Sequence, residues 1–80
     1  MKIEYTTGCT DAVEIDGTEF IYLSYKDQMD VCKKLLETQK LPESLLRNFV
    51  SDTAEWIGEE EYLDYCEECG AYNSKYKIEI

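Results

Sequence analysis

The sequence lacks histidine altogether, contains one proline and one tryptophan, and has 8 basic residues against 18 acidic ones, for a formal net charge of −10. Without histidine, the chain lacks the side chain used most often for acid–base catalysis near neutral pH. The excess of acid makes binding to nucleic acid or to an anionic membrane electrostatically unfavourable. We therefore expect no catalytic residues and no direct binding to nucleic acid.

Long apolar segments are also missing. No apolar run approaches the roughly 20 residues that a membrane-spanning helix requires. Residues 1–8 (MKIEYTTG) lack the apolar segment of a secretory signal. A chain of 80 residues is long enough for one domain with a thin core. We therefore expect a single domain over residues 1–80, located in the cytoplasm and not attached to a membrane.

Three segments show the alternation of apolar and polar residues that is typical of half-buried strands. They are residues 2–6, residues 76–80, and the two runs on either side of Asp16-Gly17. Asp-Gly is a preferred pair for a two-residue type I′ hairpin turn, because both central residues need a positive φ. The resulting register puts Ile15 opposite Thr18 and gives the hairpin a core face, whose residues are Val13, Ile15, Phe20 and Tyr22.

Between the hairpin and the last strand, the sequence predicts helices. Ser24 is a suitable N-cap for a helix that runs to about residue 39, and Pro42 suits the first turn of a second helix ending near Val50. The apolar side of the first helix is predicted to contain Met29, Cys32, Leu35 and Leu36. A third helix is predicted over residues 52–69, with Gly58 as a point where it can divide and Gly70 just past its end.

These elements predict an α+β fold. It consists of a small antiparallel or mixed sheet, built from the N-terminal strand, the hairpin and the C-terminal strand, with two to three helices packed on one face.

The most unusual stretch is residues 51–70, which contain eight carboxylates and no basic residue. If residues 59–69 are helical, the acids other than Glu59 lie on one arc, and most of the aromatic and thiol side chains lie on another. Acids spaced four residues apart would then form a row with a rise of about 6 Å. The residues predicted to bind a partner are Glu60, Glu61, Asp64, Tyr65, Glu67 and Glu68.

The four cysteines are a second candidate site. Cys66 and Cys69 form a C-x-x-C motif, but a reactive thiolate needs nearby cations or a helix N-terminus, and here carboxylates surround the motif. A closed zinc site needs four ligands, so without histidine Cys9 and Cys32 would also have to converge on this pair. We therefore expect no metal and no cofactor.

In size, charge and surface character, the chain resembles small nucleic-acid mimics carried by phages and mobile elements, such as anti-CRISPR and antirestriction proteins. The resemblance involves no shared residue motif. It implies a non-enzymatic acidic protein that binds and blocks a basic nucleic-acid-binding protein, such as a nuclease or another effector. The alternatives are a general protein–protein interaction module or adaptor and, less favoured, a cysteine-based zinc or redox site.

Overall fold

The structure is a computed structural model, and it describes residues 1–46 and 50–80. The elements follow one another as β1 (Lys2–Thr7), β2 (Ala12–Ile15), β3 (Thr18–Glu19), a short 3₁₀ helix (Phe20–Tyr22), α1 (Tyr25–Gln39), α2 (Glu43–Leu46), α3 (Val50–Ile57), β4 (Glu59–Cys66) and β5 (Ala71–Glu79). In the described part of the chain, no helix is long and apolar enough to cross a membrane.

The five strands form one antiparallel sheet in the order β3-β2-β1-β5-β4. One face of the sheet packs against the helices. The core between these two layers contains Ile3, Tyr5, Val13, Ile15 and Ile78 from the sheet, Val31 and Leu35 from α1, and Val50 and Ala54 from α3. The prediction of an α+β fold with helices on one face of a small sheet is therefore confirmed.

The hairpin turn forms as predicted, but the second strand of the hairpin is short. Asp16 and Gly17 both have positive φ, 50° and 87°, and Ile15 lies opposite Thr18. After Glu19 the chain leaves the sheet and turns into the 3₁₀ helix, where Phe20 is buried but Tyr22 is 75% exposed. The prediction that Tyr22 belongs to the core face is wrong because the strand ends before it.

Helix α1 begins as the sequence predicts and buries a slightly different side. The Ser24 Oγ accepts a hydrogen bond from the Asp27 backbone N–H at 3.2 Å, which caps the helix. The fully buried positions are Val31 and Leu35, four residues apart, whereas Met29 is 51% exposed. The apolar face is thus rotated away from Met29, which was wrongly placed on it.

Helix α3 ends at Ile57, directly before Gly58, the point at which the sequence prediction allowed the helix to divide. The Gly58 N–H donates to the Ala54 carbonyl at 2.6 Å. A Cβ at Gly58 would collide with that carbonyl oxygen and would lie 2.9 Å from the Cβ of Tyr76. After Gly58 the chain continues directly into β4, which pairs with β5. The predicted helix over residues 59–69 is therefore wrong. The predicted helix over residues 45–50 lies partly outside the described residues.

Pairing with β5 favours a strand over a helix in this acidic segment. On a helix, Glu60, Asp64 and Glu68 would follow one another at intervals of four residues, an arrangement of like charges that destabilises helices. In the sheet, Glu59 instead lies opposite Lys77, and Tyr62 lies opposite Lys75. Opposite charges and aromatic side chains across a strand pair stabilise a sheet, so tertiary pairing overrides the local helix preference of glutamate.

A row of charged residues crosses the outer face of the sheet, opposite the face on which the described helices pack. The residues of this row lie opposite one another on successive strands in the order Glu19, Glu14, Glu4, Lys77 and Glu59. Three carboxylates are therefore adjacent on β3, β2 and β1, and Lys77 separates the last of them from β4.

Glu4 is the best compensated member of this row. Its carboxylate lies 2.7 Å from the Lys75 Nζ and 3.2 Å from the Lys2 Nζ. Hydrogen bonds from Lys75 first, and from Lys2 next, hold the pKa of the Glu4 carboxyl below its usual value. Stability from a lowered carboxyl pKa is present above the unfolded-state pKa, and it is lost as the pH falls through the folded-state pKa.

We predict that Glu4→Gln lowers the free energy of unfolding at neutral pH by at most about 1 kcal/mol, because the ion pairs are partly solvated. The difference from the wild type should shrink in acid, where Glu4 is protonated in both states. The matched control Glu14→Gln removes the middle carboxylate of three and should leave stability unchanged or raise it. Urea unfolding at neutral and at acidic pH measures these free energies. A Glu14→Gln variant less stable than Glu4→Gln at neutral pH would contradict the assignment of Glu4 as the compensated carboxylate.

Candidate interaction surface at the acidic edge

The acidic edge, defined as β4 together with the turn of residues 67–70, forms one rim of the molecule. Among the strands of residues 1–46 and 50–80, β4 is the last of the sheet and pairs only with β5. Residues 59–65 are all exposed, and Cys66 is half-buried. One side of β4 therefore presents unpaired backbone N–H and C=O groups together with a dense set of acidic side chains.

All six residues predicted to bind a partner lie in the acidic edge and are exposed: Glu60, Glu61, Asp64, Tyr65, Glu67 and Glu68. The structure thus brings them together along one rim. It does not place the acids on a single face, as the predicted helix required.

The pairing register divides the side chains of β4 between the two faces of the sheet. Glu60 lies opposite Tyr76, whose ring stacks on the buried Tyr5, so Glu60 is on the helix-bearing face. Asp64 lies opposite Asn73 and is on the outer face, and Glu61 occupies an irregularity in the register. The prediction of one continuous row of carboxylates is therefore wrong, because side chains of a strand alternate between faces.

The carboxylates of the acidic edge form no ion pair with any of the residues that the structure describes. Two lysines of β5 lie beside the acidic edge on the outer face: Lys77, which is opposite Glu59, and Lys75, which is already engaged. Lys75 bonds to Glu4, and its Nζ lies 5.8 Å from the centre of the Tyr62 ring. The hydrogen bond to Glu4 raises the pKa of Lys75, with smaller contributions from Tyr62 and Glu61. The acidic edge therefore keeps most of its negative charge uncompensated.

An apolar patch lies beside these charges on the helix-bearing face. Leu63 and Tyr65, both on β4, are 58% and 53% exposed, and Tyr72 on β5 is 61% exposed. The Tyr65 and Tyr72 rings are 5.1 Å apart between centroids and tilted by 59°. The aromatic residue named from sequence is thus half of an exposed ring pair.

At the end of the acidic edge, three of the four cysteines meet. Cys66 ends β4, Cys69 lies in the turn between β4 and β5, and Cys9 lies in the loop between β1 and β2. Their sulfur atoms all lie within 4.8 Å of one another. Cys32 is elsewhere, on α1 against the core, and burial raises the pKa of its thiol.

Hydrogen bonds among the three thiols shift the pKa values of two of them in opposite directions. Hydrogen bonds to the sulfurs of Cys69 and Cys66 raise the pKa of Cys9 to about 12. The Cys9 thiol, and next the Cys69 backbone N–H, donate to the Cys66 sulfur and lower the pKa of Cys66. Cys66 consequently ionises more readily than Cys9.

Sequence reasoning missed this convergence because it placed the C-x-x-C motif at the end of a helix. The available signal was the glycine directly after Cys69. Gly70 has a φ of +66°, a conformation that suits a tight turn between two strands and that side chains disfavour. Read as a hairpin turn, the motif would have carried Cys66 and Cys69 to the end of the sheet where β1 also ends.

Comparisons of the chain with protein-family models, with curated proteins and with solved structures found no match. The function therefore has to be inferred from the geometry of the acidic edge and its cysteines.

The strand register predicts which tyrosines interact. A double-mutant cycle with Tyr65→Ala and Tyr72→Ala should give a coupling energy of about 0.5 kcal/mol, the lower end for aromatic pairs because both rings are exposed. Tyr62 lies on the opposite face, so the control cycle with Tyr62→Ala and Tyr72→Ala should give a coupling near zero. Urea unfolding of the single and double variants measures both values. Equal coupling in the two cycles would contradict the register.

Proposed function

We propose that this protein is a non-enzymatic cytoplasmic inhibitor that inserts its acidic edge into a basic, nucleic-acid-binding groove of another protein. A nuclease or a similar effector is the expected class of partner, and occlusion of the groove is the expected effect. This is the mode of action of anti-CRISPR and antirestriction proteins that mimic nucleic acid. The observation that supports the proposal is an exposed strand at the rim of the sheet whose carboxylates have no ion-pair partner among the described residues.

The spacing of charge along β4 is compatible with such a groove. A strand advances about 3.3 Å per residue, close to the roughly 3.4 Å per nucleotide of one strand of a duplex. Acids occupy residues 59–61 and position 64 on β4, and positions 67 and 68 in the turn. Because these side chains point to both faces, a narrow edge of this kind can meet basic residues on two walls of a groove.

The aromatic residues add a second way of holding basic side chains. Tyr62 is on the outer face and Tyr65 on the helix-bearing face, and both are about half exposed. An arginine can stack on a tyrosine ring while it pairs with a neighbouring carboxylate. Arginine and lysine are also the residues that contact phosphates in nucleic-acid-binding proteins.

A general protein-interaction module is the second candidate, because the free edge of β4 could accept a strand from a partner and the patch of Leu63, Tyr65 and Tyr72 is apolar. The same edge carries features that oppose pairing with a neutral strand. Acidic side chains and a register irregularity are devices by which proteins protect exposed strands. A cationic partner is attracted by the acidic side chains that would repel or disfavour a neutral strand. This difference favours the inhibitor of a basic protein over the general interaction module.

The test begins with a pull-down from nuclease-treated lysate of a bacterial host, followed by purification of the captured protein and measurement of its affinity. We expect affinity to fall steeply with added salt, and an oligonucleotide that the partner binds should compete with the inhibitor. The double variant Glu60→Lys/Asp64→Lys should fold and lose binding by roughly a hundredfold or more, as expected when several close charge pairs are reversed.

The matched control is Asp30→Lys/Glu37→Lys, which changes the net charge equally at exposed positions of α1. It should reduce affinity far less than the variant in the acidic edge. Tight binding that is indifferent to salt and is lost in Tyr65→Ala or Tyr72→Ala, but not in Glu60→Lys/Asp64→Lys, would contradict the inhibitor proposal and favour the general interaction module.

A further inference from the structure

Three cysteine sulfurs, brought together from two distant parts of the sequence, form the most concentrated group of metal-binding atoms in the described chain. Cys9 is separated by most of the chain from Cys66 and Cys69, yet the three sulfurs lie within 4.8 Å of one another. A zinc–sulfur distance of about 2.3 Å in a tetrahedral site corresponds to sulfur–sulfur distances of about 3.8 Å. A metal ion could therefore be held by closing the cluster by about 1 Å.

The turn between β4 and β5 is closed without the help of a metal. The Gly70 N–H donates to the Cys66 carbonyl at 2.9 Å, and Gly70 has a φ of +66°. The turn thereby holds Cys66 and Cys69 close together, with their sulfurs beside that of Cys9.

The loop that carries Cys9 is fixed against β5 by separate contacts. The Cys9 N–H donates to the Asn73 Oδ1 at 2.8 Å. Gly8, with a φ of +143°, lies so close to Asn73 that a Cβ there would collide with its Oδ1 and would lie 2.8 Å from its Cα. These contacts hold Cys9 in place beside the turn without the help of a metal.

We propose that Cys9, Cys66 and Cys69 bind one zinc ion and that a water molecule completes the tetrahedral site. Soft thiolate ligands select zinc among the common divalent ions, and three protein ligands with one open position are a coordination that zinc adopts. Among the described residues, no carboxylate joins the three sulfurs within the same radius. This proposal replaces the expectation, drawn from the sequence, that all four cysteines would be needed.

The zinc ion would connect the loop between β1 and β2 to the end of the acidic edge. An 80-residue chain buries too little surface for a large margin of stability, and small domains often gain it from a metal. Because the unfolded chain has no preformed site, the free energy of zinc binding adds to the stability of the folded state. Glu67 and Glu68, which lie between two of the ligands in sequence, would be held in a fixed position.

Zinc content tests the proposal independently of any partner. The protein is expressed in zinc-supplemented medium and purified without chelator in the presence of a non-thiol reductant, and zinc is measured by mass spectrometry. We expect one zinc ion per chain in the wild type and in the control Cys32→Ser, whose thiol is on α1. The variants Cys9→Ser, Cys66→Ser and Cys69→Ser should each contain less zinc than the wild type by roughly tenfold or more.

Cobalt(II) binding tests the proposal on the wild-type protein, so the result does not depend on whether the cysteine variants fold. Titration of the reduced, metal-free chain should produce a thiolate-to-cobalt charge-transfer band and the visible bands of a tetrahedral ion, saturating at one equivalent. The proposal is overturned if no such bands develop and no zinc copurifies. It is also overturned if Cys9→Ser retains as much zinc as Cys32→Ser.

Discussion

The structure depends on strand β5, which lies between two acidic strands and places lysines between them on the outer face. Lys77 lies opposite Glu4 on β1 and opposite Glu59 on β4, while Lys75 bonds to Glu4. Without these lysines, the carboxylates of β1 and β4 would confront one another across the outer face. On the opposite face, Ile78 joins the core. β5 thus separates the two sets of carboxylates with positive charge and contributes to the core at the same time.

The sequence allowed correct prediction wherever one local pattern dominated. Alternation identified β1 and the C-terminal strand, the Asp16-Gly17 pair identified the hairpin turn, and Ser24 identified the start of α1. The prediction failed over residues 59–69. There the glutamates favour a helix locally, and the strand β5, whose pairing imposes a strand instead, is not part of the local pattern. The identity of the exposed acids could be predicted, but their distribution over two faces followed from pairing with β5.

The consequences for function come from the same pairing. A helix would have presented its carboxylates on one convex arc, whereas an edge strand presents them on a thin rim with charge on both sides. Like charges on this rim discourage two copies of the chain from joining edge to edge, and they attract a basic surface instead. The pairing of β4 with β5 also brings Cys66 and Cys69 to the loop that contains Cys9. The β4–β5 hairpin therefore creates both the acidic edge and the proposed metal site.

The central claim is that residues 59–66 form an edge strand on β5, and nuclear magnetic resonance tests it most directly. We expect Cα chemical shifts of extended backbone over these residues and nuclear Overhauser effects between backbone protons of opposing residues, such as Asp64 with Asn73 and Tyr65 with Tyr72. Helical Cα shifts over residues 59–66, with strong effects between successive amide protons and none to β5, would contradict the account.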